Sequence, residues 1–239
     1  MINVDMERLT ELEKRIHKTI LEASKTDKKL TVNKAAELSG CSMSKITKFI
    51  QKTGFQSFKQ YMGLVYGSNN PQKQSSNEIQ RIKSFLDNFN TSLVDEFISL
   101  IRSHKKIILF GYGPTLICMQ YFEYKLRIVT NNVVIAVPDE TTAARMLDEL
   151  SLFVIFSTTG QFRSFKSIYE HAKHMGSKAL LVVEEYNTSL LGECDKIMYL
   201  TQSFQDMNLR PYDKSRSVFF IFIEEVVRRL LEEDGKNFG

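Results

Sequence analysis

The stretch that decides the fold of the N-terminal third is Leu30–Phe55, LTVNKAAELSGCSMSKITKFIQKTGF. Thr31 is placed to cap a short helix carrying Val32, Ala35, Ala36 and Leu38, and Gly40 ends it. Ser42 is placed to cap a second helix, Met43 to Thr53, closed by Gly54. Two short helices joined by a glycine-containing turn are what a helix-turn-helix requires, with the second helix entering a DNA major groove. At about 100° per residue, Met43, Ile46, Phe49 and Ile50 fall on one side of that second helix. Ser44, Thr47, Lys48 and Gln51 fall opposite, flanked by Lys45 and Lys52. With Ser42, these residues offer hydroxyl, amide and amine donors suited to base edges or phosphates. The competing reading is a solvated face on an ordinary helical bundle.

Outward from this stretch, charge is unevenly distributed. Residues 1–77 hold 13 Lys+Arg against 7 Asp+Glu, and residues 78–239 hold 19 against 21. The net +4 of the 239-residue chain is therefore a basic N-terminal module joined to a nearly neutral larger one. Leu9, Leu12, Ile16, Ile20 and Leu21 predict a helix before the quoted stretch, and Ser57 opens another run, Phe58 to Tyr66. From Gly67 to Asn77 the composition turns to Gly, Pro, Asn, Gln and Ser, which reads as a linker. The expected organisation is an all-α helix-turn-helix domain over 1–67, a polar linker over 68–77, and a second domain over 78–239.

That second domain opens with a helical pattern, Ile79 to Ile101. Then short apolar runs alternate with amphipathic stretches: Ile107–Gly111, Val133–Val137, Leu152–Ser157, Ala179–Val183 and Lys196–Leu200. Runs apolar on both faces suit buried parallel strands, and the spacers suit crossover helices. The expectation is a doubly wound α/β domain with a parallel five-stranded sheet, closed by a helix over Ser215 to Asp234. The closing helix carries Val218 to Ile223 (VFFIFI), then Val226, Val227, Leu230 and Leu231. Core packing accounts for at least half of that surface, and self-association of the domain is the candidate use of the rest.

Two loops of this domain bear on chemistry. Ile107 to Thr115, IILFGYGPT, is a strand running into a glycine turn. Leu116 stands where a dinucleotide fingerprint needs a third glycine, and no GK[ST] follows, so neither a Rossmann nucleotide site nor a P-loop fits. Ser157-Thr158-Thr159-Gly160 follows the third strand. A hydroxyl-rich loop at a strand's carboxyl end, beside a helix N-terminus, suits a phosphate. Ligands of open α/β sheets sit outside the strands' carboxyl ends. The candidate effector contacts are therefore Gly111, Gly113, Thr115, Ser157, Thr158, Thr159 and Gly160, although Ser157 or Thr159 taken alone also reads as a helix cap.

The quoted N-terminal residues, through Lys52-Thr53-Gly54-Phe55 and Ser57-Phe58, resemble the N-terminal domain of the RpiR-type (MurR/RpiR) transcriptional regulators. Lys48 stands where that family usually has Arg, and Lys45-Ile46-Thr47 replaces its small-Thr-Val, which alters the expected operator sequence. The GxGxT and STTG loops resemble those of the SIS (sugar isomerase) domain, as do Gly176…Ala179–Val183 and Cys194–Leu200. Thr115 and Thr159 replace serines of that pattern and keep the hydroxyl. Phe162 replaces a threonine, and Glu184-Glu185 replace a threonine after the fourth strand. If they faced the pocket mouth, two carboxylates would repel a phosphate.

The resemblance implies a DNA-binding regulator of sugar metabolism. Its partners would be a double-stranded DNA operator and a phosphosugar effector, and it would form a homodimer or homotetramer. A sugar-phosphate isomerase, or a regulator with an altered, non-phosphosugar effector site, is the alternative. An isomerase needs a base near the sugar carbons. Glu184 or Glu185 is a candidate, His104 precedes the first strand at its wrong end, and His171 and His174 read as a solvated helix face. No catalytic residue, cofactor or metal is expected. Cys41, Cys118 and Cys194 lack CxxC spacing, there is no signal-like segment, and no apolar run spans a bilayer, so a cytoplasmic location is expected.

Overall fold

A computed structural model describes residues 2–5, 9–27, 29–53, 55, 57–65, 78–186, 190 and 193–233, with only the backbone described at 2–5, 60 and 64. The proposed linker over 68–77 and the helix-closing Gly54 lie outside the described residues. The chain divides into two compact units. One is built from Ser76–Asn187 and Met198–Gly239, and the other from Ile2–Ser75 and Thr188–Ile197.

In the helical unit, a short strand β1 (Ile2–Asp5) precedes α1 (Glu11–Thr26). Thr10 caps α1 in a capping box with Glu13, satisfying two orphan N–H groups reciprocally. Three helices follow: α2 (Val32–Leu38), α3 (Met43–Lys52) and α4 (Phe58–Val65). Thr31 caps α2 by accepting from the Lys34 N–H at 3.3 Å. Gly40 sits between α2 and α3 with φ +62°, a conformation costly for any residue with a Cβ. The core holds Ile16, Ile20, Leu30, Ala35, Ala36, Ile46, Phe49, Ile50, Phe55 and Tyr61. Tyr61 takes the edges of Phe49 and Phe55 at 5.9 and 5.2 Å. Buried His17 reaches the Tyr61 hydroxyl through Nδ1 at 3.1 Å.

The larger unit opens with α5 (Glu78–Asp87) and α6 (Thr91–Ser103). Strands then alternate with helices: β2 (Lys106–Phe110), α7 (Pro114–Val129), β3 (Val133–Val137), α8 (Glu140–Met146), β4 (Ser151–Ser157), α9 (Lys166–His174) and β5 (Lys178–Val183). The series ends with β6 (Lys196–Tyr199) and α10 (Ser217–Glu233). The five expected strands are present within a residue or two of their sequence limits. The order of the five strands is β6-β5-β4-β2-β3, and the short strand at residues 2–5 is one that no sequence pattern announced. Pairing is parallel with Lys106 opposite both Val133 and Ser151, and Leu152 opposite Lys178.

Alternation explains why these strands read as unbroken apolar runs. Leu109, Val154, Phe156, Leu180 and Val182 face the cluster built with α6, α7 and α10, through Phe97, Met119, Phe122, Phe219, Phe222 and Val226. Ile108, Phe110, Phe153 and Ile155 face the other side, and all are buried. Helices cover both faces, as a parallel sheet requires. Most of the apolar surface of α10 is spent on this core, with Phe220, Ile221 and Leu231 only partly buried. Among the described residues no helix is long and apolar enough to cross a membrane.

Candidate functional site

The outward face of α3 is built as its periodicity predicts. Ile46, Phe49 and Ile50 are buried, while Ser42, Ser44, Lys45, Thr47, Lys48, Gln51 and Lys52 are exposed. Met43 departs from the wheel: it is half exposed (52%), because the first turn of α3 projects beyond the core. Ser42 occupies the N-cap position but makes no capping hydrogen bond, so its hydroxyl is left for other partners. The Thr47 hydroxyl donates to the Met43 carbonyl at 3.0 Å. Lys52 is less available, since its ammonium lies 2.8 Å from the Glu13 carboxylate. Lys45 and Lys48 make no ion pair among the described residues.

In the larger unit the carboxyl ends of β2 and β4 open onto a cavity of about 300 Å³. Its lining includes Gly113, Pro114 and Thr115 from the start of α7, Ser157, Thr158 and Thr159 from the loop after β4, and Tyr212 and Arg216 from the segment before α10. Of the seven predicted effector residues, five line the cavity, and Gly111 and Gly160 do not. Their roles are steric and local. A Cβ on Gly111 would stand 2.6 Å from the Thr115 methyl group. The Gly160 N–H donates to the Ser157 hydroxyl oxygen at 3.0 Å, folding the loop on itself.

The helix that serves the cavity is α7, not the one after the hydroxyl loop. That loop runs into a single 3-10 turn, Phe162–Ser164, and α9 begins without a side-chain cap. By contrast α7 is 16 residues long, its N-cap is Gly113 with φ +54°, and no side chain satisfies its first N–H groups. The positive end of the helix dipole therefore borders the cavity, while Pro114 has no N–H and the Thr115 and Leu116 N–H groups donate to the Tyr112 and Gly113 carbonyls at 3.1 and 3.0 Å. Thr115 is buried, and its hydroxyl oxygen accepts from Arg216 Nε at 3.3 Å. The Thr158 hydroxyl is buried with no hydrogen-bond partner among the described residues. A buried hydroxyl left unpaired is costly, and a ligand oxygen would relieve that cost.

The residues expected to spoil an anion site are directed elsewhere. Phe162 packs edge-on against Phe165 and Tyr169 at 5.4 and 5.8 Å and does not line the cavity. Glu184 and Glu185 do not line it either. Glu184 is fully buried and ion-paired with Arg81 of α5, and it accepts from Gln205 Nε2 at 2.7 Å. Burial pushes its carboxyl above the ordinary carboxylate range, against the pull of Arg81. Glu185 pairs with Lys214 at 2.6 Å and accepts from the Gln205 N–H at 2.9 Å. Arg81, Gln205, Lys214 and Arg216 lie outside both loop motifs, so sequence reasoning missed them. The one available signal was the excess of cations just before the last helix, Lys214 and Arg216.

Comparison with known proteins agrees with both halves. The helix-turn-helix domain of the rpiR family matches residues 1–63, and the SIS domain matches residues 100–221. A curated relative from Archaeoglobus fulgidus, described as an uncharacterized protein, is 28% identical over 119 residues. Those residues are 50% of this chain and 63% of that protein. The Vibrio vulnificus NanR protein complexed with ManNAc-6P is similar in structure at 14% identity and a TM-score of 0.54, over 97% of this chain and 90% of that one. An E. coli CFT073 protein, solved in complex with a ligand, covers 68% of this chain and 94% of its own, at 17% identity and a TM-score of 0.51. A Methanococcus jannaschii hypothetical protein, for which a 3-hexulose-6-phosphate isomerase function has been inferred, covers 67% and 89%, at 19% and 0.51. At these identities the structural likeness speaks for the fold. With its helix-turn-helix module and its SIS domain in that order, the chain belongs to the RpiR family.

Proposed function

We propose that this protein is a DNA-binding transcriptional regulator of sugar metabolism whose SIS domain senses a phosphosugar. The observation that carries the sensing half is the cavity itself. The uncapped start of α7 and the hydroxyls of Thr115, Ser157, Thr158 and Thr159 border one space, and the Thr158 hydroxyl there has no partner among the described residues. The exposed row on α3 supports the DNA-binding half, with Ser42, Ser44, Lys45, Thr47, Lys48 and Gln51 as base and phosphate contacts and Lys52 as a weaker one. The regulator reading is favoured over an isomerase because the described cavity lining contains no carboxylate and no histidine to serve as a base.

Self-association completes the proposal. Ile117, Tyr124 and Ile128 stand exposed along α7, and Leu86, Phe89, Phe220 and Ile221 border an apolar recess between α5 and α10. A homodimer or homotetramer burying such surface would present α3 helices in pairs to a two-fold operator. Effector binding would then change operator affinity by a coupling of typically 1–3 kcal/mol. A gel-shift titration on the protein's own upstream DNA, with and without a panel of hexose phosphates, tests both halves. A sequence-selective shift that one sugar phosphate changes by roughly 5- to 150-fold is expected. Absence of any selective shift would overturn the DNA-binding half, and indifference to every sugar phosphate would overturn the sensing half.

A further inference from the structure

We propose that the Arg81–Glu184 ion pair carries the state of the cavity to α5, so that the effector acts on operator binding through this contact. This rests on the sensing reading and adds to it the route by which that site regulates. The chain passes from the helical unit to the larger one after Ser75, and α5 begins at Glu78, so α5 is the first helix beyond the junction. Two of its first four residues are committed inward. Arg81 is buried, holds Glu78 through Nε and Nη2 at 2.8 and 2.7 Å, and holds Glu184 through Nη1. Arg81, followed by the Ser215 and Ser217 hydroxyls, keeps the Glu78 carboxyl below its ordinary range.

Glu184 does not line the cavity, yet two of the cavity's walls are fastened to it. On one side its N–H donates to the Ser157 carbonyl at 3.1 Å and the Glu185 N–H donates to the Thr158 carbonyl at 2.9 Å, which fixes the hydroxyl loop. On the other side Gln205 Nε2 donates to Glu184 Oε1 at 2.7 Å and to the Ser215 carbonyl at 2.9 Å, while Gln205 Oε1 accepts from the Ser215 N–H at 2.6 Å. Ser215 immediately precedes Arg216, which lines the cavity. The Glu184 carboxylate is unevenly used. Its Oε1 serves both Arg81 and Gln205, and its Oε2 is buried with no hydrogen-bond partner among the described residues. Two donors on one oxygen depend on each other, and the idle oxygen gives the carboxylate a second arrangement, in which rotation hands one donor to Oε2. Leaving that oxygen unpaired costs free energy, which narrows the gap between the two arrangements. An occupant that draws in the hydroxyl loop or the Arg216 segment biases the choice, and Arg81 passes it to α5.

Gel-shift titrations of the full chain on its own upstream DNA test this, with and without glucose 6-phosphate and the other hexose phosphates of the panel. Thermal denaturation run beside them follows ligand binding, since a bound ligand raises the midpoint by mass action. In Arg81→Met/Glu184→Leu, which replaces the pair by apolar side chains, operator affinity without ligand and apparent ligand affinity are expected to stay within about 3-fold of wild type. The ligand's effect on operator affinity is expected to fall from roughly 5- to 150-fold to less than about 2-fold. Gln205→Met removes the amide link and spares the ion pair; the same loss of coupling is expected, and it decides the matter if the double variant does not fold. Lys106→Met breaks an ion pair with Asp148 at the opposite end of the sheet and is expected to keep the full coupling. Wild-type coupling in the double variant or in Gln205→Met, a loss of coupling there that only follows loss of ligand binding, or an equal loss in Lys106→Met would each overturn the relay and leave the sensing cavity standing. A wild-type chain whose operator binding is unmoved by every hexose phosphate would overturn both.

Discussion

Charge is used in opposite ways in the two units. On α3 the lysines are exposed, and Lys45 and Lys48 make no ion pair among the described residues. At the end of β5 the charges are buried and matched, Arg81 with Glu184 and Lys214 with Glu185. An exposed, unmatched cation costs little to hold and is free to meet a phosphate wherever DNA presents one. A buried one costs much unless it is paired, so each must be counted. The first arrangement makes a tolerant surface and the second an exacting pocket.

Breaking the buried side of this contrast should give the largest effect. Arg81→Met leaves Glu184 buried without its cation, and the larger unit is expected to lose about 3–5 kcal/mol. Glu184→Leu alone should cost a similar amount, while the double variant should recover much of it. Denaturant melts of the three variants, arranged as a double-mutant cycle, check this. Additive losses would mean that the pair does not act as a unit.

A buried titratable group also exists on the helical side, and it gives the next effect. Burial lowers the pKa of His17 from 6.5 to about 4. Between those values the unfolded chain takes up a proton that the folded unit refuses. Stability is therefore whole above about pH 6.5 and falls as the pH drops towards 4, by roughly 3 kcal/mol for the full shift. Denaturant midpoints of wild type and His17→Gln across pH 7 to 5 should diverge, with the variant nearly flat. Parallel curves would show that His17 carries none of the dependence.

The smallest effects belong to the exposed side. Lys48→Ala should leave the melting midpoint within experimental scatter, weaken operator binding by about 10-fold, and reduce the salt slope by about one. Lys52→Ala should do less, because Glu13 already holds its ammonium. Binding isotherms at several salt concentrations separate the two. Equal losses would erase the distinction between paired and unpaired lysines on that face.

The contrast also governs what could be read without coordinates. The α3 face was legible because helical period sorts exposed from buried residues within ten positions, and Met43 escaped only because the core ends before the first turn does. The strands were legible because burial on both faces leaves unbroken apolar runs. The two loops were legible because each hydroxyl sits beside a glycine in a short segment. Arg81 and Glu184 are 103 positions apart, and Arg216 and Thr115 are 101 apart. No local pattern encodes such a partnership, so the acidic pair looked like an obstacle to anion binding, although each carboxylate has its own cation.

The place of Arg81 bears on how the chain can be dissected. The SIS match begins at residue 100, and a fragment cut there would retain every strand of the parallel series and both hydroxyl loops. It would lack α5, and with it the cation that Glu184 was folded around. Such a fragment would carry a carboxylate in its interior without its ion-pair partner, keeping Gln205 as a hydrogen-bond donor. For any attempt to study the sensing half alone, the cut belongs upstream of Glu78, among residues that a search for strands and motifs would discard as a tether.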